Sequence, residues 1–186
     1  DLPERFWKIA AWVAKKPEYR YEHFTFRNQD QYIHDFIEIH KKAWSSHGNY
    51  KPVRFEQLRE MISTASLLLD EEFIWFVYHN QEPVAFFMMI PDFNQVMKIL
   101  NSSKMNLVKY LKMKSLLKKN VINRCRVIVL GVVPKYQGLG LESGIFWQLK
   151  QVMLRKPWYK EMEMSWVGDF NPKMNALFKS FGAKRT

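Results

Sequence analysis

The chain has 186 residues and a net charge of +11, and its 47% hydrophobic and 25% charged residues are typical of a folded domain rather than a disordered tail. A single cysteine, Cys125, excludes an internal disulfide framework, fits a reducing cytoplasm and lies in an apolar strand pattern as a buried small residue. No apolar run approaches the roughly 18 residues that span a bilayer, and residues 1–16 lack the apolar core of a secretory signal.

Apolar periodicity predicts the elements of the first half of the chain. In chain order they are a helix over 3–16, a strand over 20–26, helices over 29–44 and 54–69, and a hairpin of strands over 73–80 and 84–90. Asp30 is predicted to cap the helix over 29–44.

Helices and strands alternate in the second half, which indicates a layered α/β domain. The predicted elements are helices over 93–100 and 105–121, a strand over 124–133, a helix over 141–154, a strand over 161–167 and a helix over 172–181. Gly182 is placed to cap the last helix at its C-terminal end.

A basic block occupies the middle of the chain. No acidic residue occurs between Asp92 and Glu142, whereas this interval holds Lys98, Lys104, Lys109, Lys112, Lys114, Lys118, Lys119, Arg124, Arg126 and Lys135. Such a block favours an anionic partner, and the alternative is a solvated face with no specific partner. Apolar residues and lysines alternate over 105–121, which suits a helix lying on a membrane or covering an apolar channel. The pattern favours the other interpretation, a surface helix packed on the sheet.

The segment VLGVVPKYQGLGLE, residues 129–142, places two glycines between a buried strand and a helix. A helix start offers unpaired amide N–H groups and the positive end of the helix dipole. Gly138 and Gly140 carry no side chains that would keep an anion from these amides, and Gln137 adds a neutral donor. The segment predicts a pyrophosphate cradle that is neither a Walker loop nor a Rossmann fingerprint. A tight turn that simply requires glycine is the alternative.

Two groups of motifs resemble the GNAT superfamily of N-acetyltransferases. The turn resembles that family's (Gln/Arg)-x-x-Gly-x-(Gly/Ala) loop, and Val132-Val133-Pro134 resembles the Val-x-Pro before it. Asn171, Leu177-Phe178 and Phe181-Gly182-Ala183 resemble its later Asn…Leu-Tyr…Gly-Phe segment. The predicted hairpin resembles an earlier strand pair, so the resemblance runs from the hairpin to the end of the chain.

A narrower resemblance involves residues 2–16, 43–58 and 165–183. They are similar to the C-terminal half of larger bacterial N-acyltransferase-like proteins that carry another acetyltransferase-like half before this one. This implies such an N-terminal half as a partner within one chain. It also implies that residues 1–27, a helix and the first strand, lead into an acyl-CoA-binding domain over 28–186. The family fold ends with one more strand, which is expected to be missing, disordered or supplied by a partner.

The GNAT resemblance implies an α/β (α+β) fold with a central mixed, mostly antiparallel twisted sheet, a splayed strand pair and helices on both faces. It implies direct transfer of an acyl group from acetyl-CoA or a longer acyl-CoA to an amine-bearing small molecule or peptide. The cofactor-binding residues implied by the match are Leu130, Val132, Val133, Gln137, Gly138, Leu139, Gly140, Leu141, Glu142, Asn171 and Phe178. Leu130 and Val132 would hold the pantetheine arm, and the amides of 138–142 the pyrophosphate.

The catalytic groups depart from the family's pattern. The strand over 124–133 carries no carboxylate, so the candidate proton acceptors are Glu163, Ser165 and Asp169. Phe178 stands where the family has a Tyr that protonates the leaving thiolate, and Glu142 stands where it has Gly or Ala. These departures leave a second class open, a catalytically weak or inactive CoA-binding or regulatory module.

The remaining candidates point to no further chemistry. The basic block leaves open a binder of anionic membrane or nucleic-acid surfaces, although no specific nucleic-acid motif accompanies it. His34, His40 and His47 have no metal-ligand spacing, so no metal is predicted. Trp44, Trp75 and Trp166 could line an acceptor groove, and core packing is the alternative that each favours.

Overall fold

The computed structural model describes residues 3–45, 50–101, 106–164, 175–176, 179 and 183. Its helices α1 to α6 are Glu4–Ala14, Gln29–Trp44, Phe55–Ala65, Asn94–Leu100, Leu107–Lys118 and Leu141–Arg155. Its strands β1 to β5 are Tyr19–His23, Ile74–His79, Glu82–Pro91, Arg124–Val132 and Glu161–Glu163. Every predicted element that falls on described residues is present, and most of the helix predicted over 172–181 lies outside them.

The predicted details that differ include the following three. The strand predicted over 20–26 ends at His23, because the chain turns into a short 3-10 helix whose Phe26 N–H donates to Glu71 Oε1 at 2.6 Å. Helix α3 ends at Ala65 rather than at residue 69. The N-cap of α2 is Asn28, which makes no side-chain capping bond, so Asp30 lies in the first turn and the predicted cap is wrong.

The five strands form one open, mixed sheet in the order β1-β2-β3-β4-β5. The first three pairings are antiparallel, whereas β5 lies parallel to β4. Strands β2 and β3 form the predicted hairpin, and Asn80 and Gln81 between them have φ of 49° and 70°. Two consecutive positive φ values are typical of the turn that matches the twist of a hairpin.

Helices cover both faces of the sheet. Successive side chains of a strand point to opposite faces. In β3, the Phe86 ring contacts Phe36 of α2 at 4.6 Å between centroids, whereas the next ring, Phe87, contacts Phe146 of α6 at 5.7 Å. Helices α2 and α6 therefore lie on opposite faces, with α3 packed beside α2 and α1 beside α6. Cys125 is fully buried as predicted, and burial raises the pKa of its thiol to about 12.

Residues 92–123 form an insertion between β3 and β4. Antiparallel neighbours are usually joined by a few residues, but here the connection contains α4 and α5. These helices pack on each other around their own apolar cluster, whose buried members are Val96, Leu100, Met113 and Ile122. Helix α5 therefore packs chiefly on α4, and the favoured interpretation that it packs on the sheet is wrong.

Candidate functional site

The glycine turn joins the end of β4 to the start of α6. Gly138 and Gly140 have φ of +79° and +81°, the left-handed region that side chains rarely adopt. A Cβ at Gly138 would meet nothing within 4 Å, and one at Gly140 would meet only Val13 Cγ2 at 3.5 Å. Conformation rather than crowding therefore requires glycine at both positions.

The start of α6 offers hydrogen-bond donors. Gly140 is its N-cap and supplies no side chain, and the first helical bond runs from Ser143 N–H to the Gly140 carbonyl at 2.9 Å. Among the described residues, no acceptor bonds the amide N–H groups of Gly140, Leu141 and Glu142. These donors lie at the positive end of a 15-residue helix, which is a favourable place for a phosphate. Glu142 is half-buried in this first turn and opposes that field.

The outer edge of β4 presents backbone groups beside this turn. Val133 N–H donates to the Val84 carbonyl at 2.9 Å, and Val132 lies opposite Ala85. In an antiparallel ladder this arrangement turns the N–H and C=O of Val132, and of Leu130 two residues earlier, away from β3. The side chain of Gln137 donates to the Val132 carbonyl at 3.2 Å. Leu130 and Val132 are the residues that the resemblance assigned to the pantetheine arm.

The described part of β5 leaves this stretch uncovered. Strand β5 pairs with β4 only from Arg124 to Arg126, opposite Glu161 to Glu163. No described residue pairs with the outer edge of β4 over 130–132 apart from the Gln137 side chain. Among the described residues, the outward backbone groups of Leu130 and the N–H of Val132 therefore have no partner, as the pairing of an extended amide-containing ligand requires.

A β-bulge at Ile128 sets this orientation. The register runs from Met88 opposite Val129 to Met89 opposite Val127, so Ile128 is an extra residue in β4. The extra residue changes which residues of β4 direct their backbone N–H and C=O away from β3. Before the bulge these groups point away at odd-numbered residues such as Cys125, and after it at even-numbered residues such as Leu130 and Val132. Sequence reasoning missed the bulge, since neither glycine nor proline marks residues 127–129.

Glu163 is the one described member of the predicted catalytic set. Its carboxylate pairs with the Arg126 guanidinium at 3.0 Å, across the last described pair of residues between β4 and β5. Its Oε2 accepts a hydrogen bond from Arg126 at 3.1 Å, so a proton on Glu163 would compete with this ion pair. Ser165, Asp169, Asn171 and Phe178 lie outside the described residues.

An apolar cavity of about 200 Å³ lies on the α2 face of the sheet. Helix α3 has no fully buried residue, and it stands over α2 and the sheet without filling the space between them. Apart from Tyr32, hydrocarbon and thioether side chains line the cavity; they include Ile33, Phe36, Leu58, Ile62, Met88 and Val129. Met61 and Ile128 also line it and are 53% and 41% exposed, so the cavity opens beside the β4 bulge.

A larger cleft of about 670 Å³ lies near the start of β4, away from the glycine turn. Its charged lining includes Asp70 and Glu72, which pair with Lys156 at 2.5 and 2.9 Å. These charges pair with one another, and the Glu71 carboxylate accepts a hydrogen bond from Phe26 N–H, so the carboxylates of this cleft are engaged. The apolar cavity, which reaches the exposed edge of β4, is the better candidate for a ligand.

Trp44, a predicted groove residue, packs against Gly131 of β4. A Cβ at Gly131 would lie 2.3 Å from Trp44 Cη2 and 2.7 Å from Phe86 Cε1. We expect Gly131→Ala to lower the free energy of unfolding by about 1–3 kcal/mol, because two rings must move. Urea unfolding measures this change. The double variant with Trp44→Leu should recover part of the loss, and an unchanged stability of Gly131→Ala alone would contradict the packing.

No family model matches the sequence. The chain is 24% identical over 156 residues to the bacterial ceramide synthase of Caulobacter vibrioides (strain NA1000 / CB15N), covering 82% of this chain and 40% of that protein. The chain spans about 40% of the length of the curated relatives it matches.

Solved structures share the fold. The aminoglycoside acetyltransferase meta-AAC0020 from an uncultured soil metagenomic sample superposes with a TM-score of 0.59 at 12% identity, covering 91% of each chain. A possible acetyltransferase from Clostridium difficile 630 superposes with a TM-score of 0.55 at 14% identity, covering 90% of this chain and 91% of the other. The predicted resemblance to the GNAT superfamily is confirmed at the level of the fold, with its mixed sheet and helices.

Proposed function

We propose that the chain is an acyl-CoA-dependent N-acyltransferase. The observation that carries this proposal is the combination of the glycine turn with the outward backbone groups of Leu130 and Val132, which the described part of β5 does not cover. Phosphate donors and an amide-pairing edge lie on consecutive segments, which suits a ligand with a pyrophosphate and an amide-containing arm. The acetyltransferase fold supports the same assignment.

The residues present fit acyl-CoA in all but one respect. The amides from Gly138 to Glu142 would hold the pyrophosphate with the Gln137 side chain at the rim, and Leu130, Val132 and Val133 would line the arm. Asn171 and Phe178 join this set by resemblance alone. The carboxylate of Glu142 opposes the phosphates, and its half-buried position in the first turn would weaken binding. Acyl-CoA supplies an activated thioester when bound.

The chain's own groups would position an amine and remove its proton. A base takes one proton from the ammonium, and the amine then forms the nitrogen–carbon bond as the carbon–sulfur bond breaks. The second proton that the nitrogen loses neutralises the departing thiolate, so that free CoA leaves as the thiol. Glu163 is ion-paired with Arg126, and Ser165 and Asp169 remain candidates beside it. The β4 edge would hold the reacting groups together, which is a large part of such catalysis.

The apolar cavity supports a substrate with a hydrocarbon chain. A dry cavity of about 150 Å³ takes up benzene in another protein, and this one measures about 200 Å³. A ceramide synthase is among the relatives, and its name describes formation of a lipid amide. We place one alkyl chain, of either the acyl group or the amine, between α2, α3 and β4.

The finer assignments follow from this function. We place the chain in the cytoplasm, where CoA thioesters are used and where buried Cys125 stays reduced. An N-terminal acetyltransferase-like half remains a proposed partner, in keeping with the larger relatives.

Calorimetric titration with CoA and acetyl-CoA, followed by a turnover assay, tests the proposal. We expect binding in the micromolar range, about −8 kcal/mol, and release of CoA thiol when acetyl- or decanoyl-CoA is mixed with a long-chain amine. Absence of CoA binding would contradict the cofactor site. Tight binding without thiol release from any acyl-CoA and amine pair would favour the CoA-binding module.

A further inference from the structure

Helix α5 is apolar on both sides. Met113 is its one fully buried residue, and with Tyr110 and Leu117 it faces α4 in the small cluster of the insertion. On the other side, Leu107, Val108 and Leu111 are 73%, 73% and 58% exposed. The apolar residues on this outer side of α5 do not take part in its packing against α4.

Lysines share that outer face. At about 100° per residue, Lys112, Lys118 and Lys119 fall on the same half of the helix as Leu107, Val108 and Leu111, and all six are exposed. The one carboxylate in the sequence of the insertion is that of Asp92, which lies 3.8 Å from the Arg124 guanidinium rather than beside these lysines. Arg124 and Arg126 differ, because each pairs with a glutamate of β5.

We propose that this face of α5 binds the surface of an anionic lipid bilayer. Exposed aliphatic side chains ringed by lysines match a bilayer interface, where alkyl groups enter the acyl boundary and ammonium groups meet headgroup phosphates. A nucleic acid would use the lysines but would leave the aliphatic side chains in water. Within the described ranges no helix is long and apolar enough to cross a bilayer.

The insertion and the glycine turn lie at opposite ends of β4. The insertion precedes this nine-residue strand of about 30 Å, and the glycine turn follows the strand. The proposed membrane-binding face and the proposed cofactor site are therefore formed by different segments of the chain. Membrane binding through α5 does not depend on the proposed acyl transfer. A vesicle-binding experiment therefore does not test the acyltransferase proposal, and a turnover assay does not test membrane binding.

Vesicle flotation tests the proposal. We expect the chain to float with vesicles of 70% phosphatidylcholine and 30% phosphatidylglycerol at low salt, and to bind pure phosphatidylcholine at least tenfold more weakly. The variant Lys112→Gln/Lys118→Gln should bind about fivefold more weakly for each lysine removed. Val108→Gln/Leu111→Gln should bind at least tenfold more weakly, because the aliphatic contact is lost.

Two single-residue control variants make the same types of substitution outside α5. Leu154→Gln replaces a 68% exposed leucine of α6, and Lys41→Gln removes an exposed lysine of α2; both should bind vesicles like the parent chain. Circular dichroism establishes that each variant is folded. Equal vesicle binding by the α5 variants and the parent, or no binding to anionic vesicles, would overturn the proposal. So would binding to duplex DNA that competes with vesicles and is unaffected by Val108→Gln/Leu111→Gln.

Discussion

Gly140→Glu should abolish CoA binding, with a dissociation constant at least a hundredfold higher than that of the parent chain. The new carboxylate would lie at the start of α6, where it competes with phosphate for the N–H groups of Leu141 and Glu142. Hydrogen bonds to a charged group contribute about 1.5–3 kcal/mol each, so losing two corresponds to a hundredfold or more. Calorimetric titration with CoA measures the effect.

Gly140→Ala is the matched control for this variant. It imposes the same left-handed strain, since φ is +81°, and its Cβ fits beside Val13 Cγ2 at 3.5 Å. We expect both variants to lose about 1–2 kcal/mol of folding stability, while the alanine variant keeps CoA binding within tenfold of the parent. Similar dissociation constants for the two variants would show that this helix start does not hold the phosphate.

The long periodic elements could be predicted from sequence because one physical pattern determines each of them. Apolar residues recur along one side of α2 and α6, which begin and end within one residue of their predicted bounds. Strand β4 ends one residue early, at Val132. The glycine turn was predictable for a different reason, since left-handed backbone between a strand and a helix leaves few residue types at Gly138 and Gly140.

Features that depend on register or packing could not be predicted. The bulge at Ile128 is a property of two strands, and the sequence of one strand carries no sign of it. Pairing of Glu163 with Arg126 depends on the parallel register of β5, so a free carboxylate could not be told from an ion-paired one. The outer face of α5 resembles a buried face in composition, and only the fold shows that α4 covers one side.

The apolar cavity was missed for the same reason. Leu58 and Ile62 follow the spacing of an ordinary core-facing helix, which predicts contact with the sheet. The structure instead leaves about 200 Å³ beneath α3, a helix without a fully buried residue. A gap between layers has no sequence signature, because it depends on how closely two elements approach.

Ile62→Trp should discriminate against long alkyl chains and leave CoA binding unchanged. Ile62 lies in the lining of the cavity, and an indole would take the room of about three methylene groups. At about 0.8 kcal/mol for each buried methylene, kcat/KM should fall about fifty-fold for the chain that occupies the cavity. Transfer from acetyl-CoA to a short amine should be unaffected. Assays of acetyl- and decanoyl-CoA with short and long amines identify which substrate carries that chain.

Thr64→Trp adds the same ring to an exposed position of α3 outside the cavity, so we expect parent-like kcat/KM for every substrate pair. If kcat/KM of the Ile62 variant falls only for decanoyl-CoA, the cavity holds the acyl group. If kcat/KM falls only for the long amine, the cavity holds the acceptor. If Ile62→Trp binds CoA and transfers all chains like the parent, the cavity holds no substrate. That result would leave the acyltransferase proposal intact, because the glycine turn and the β4 edge do not depend on Ile62.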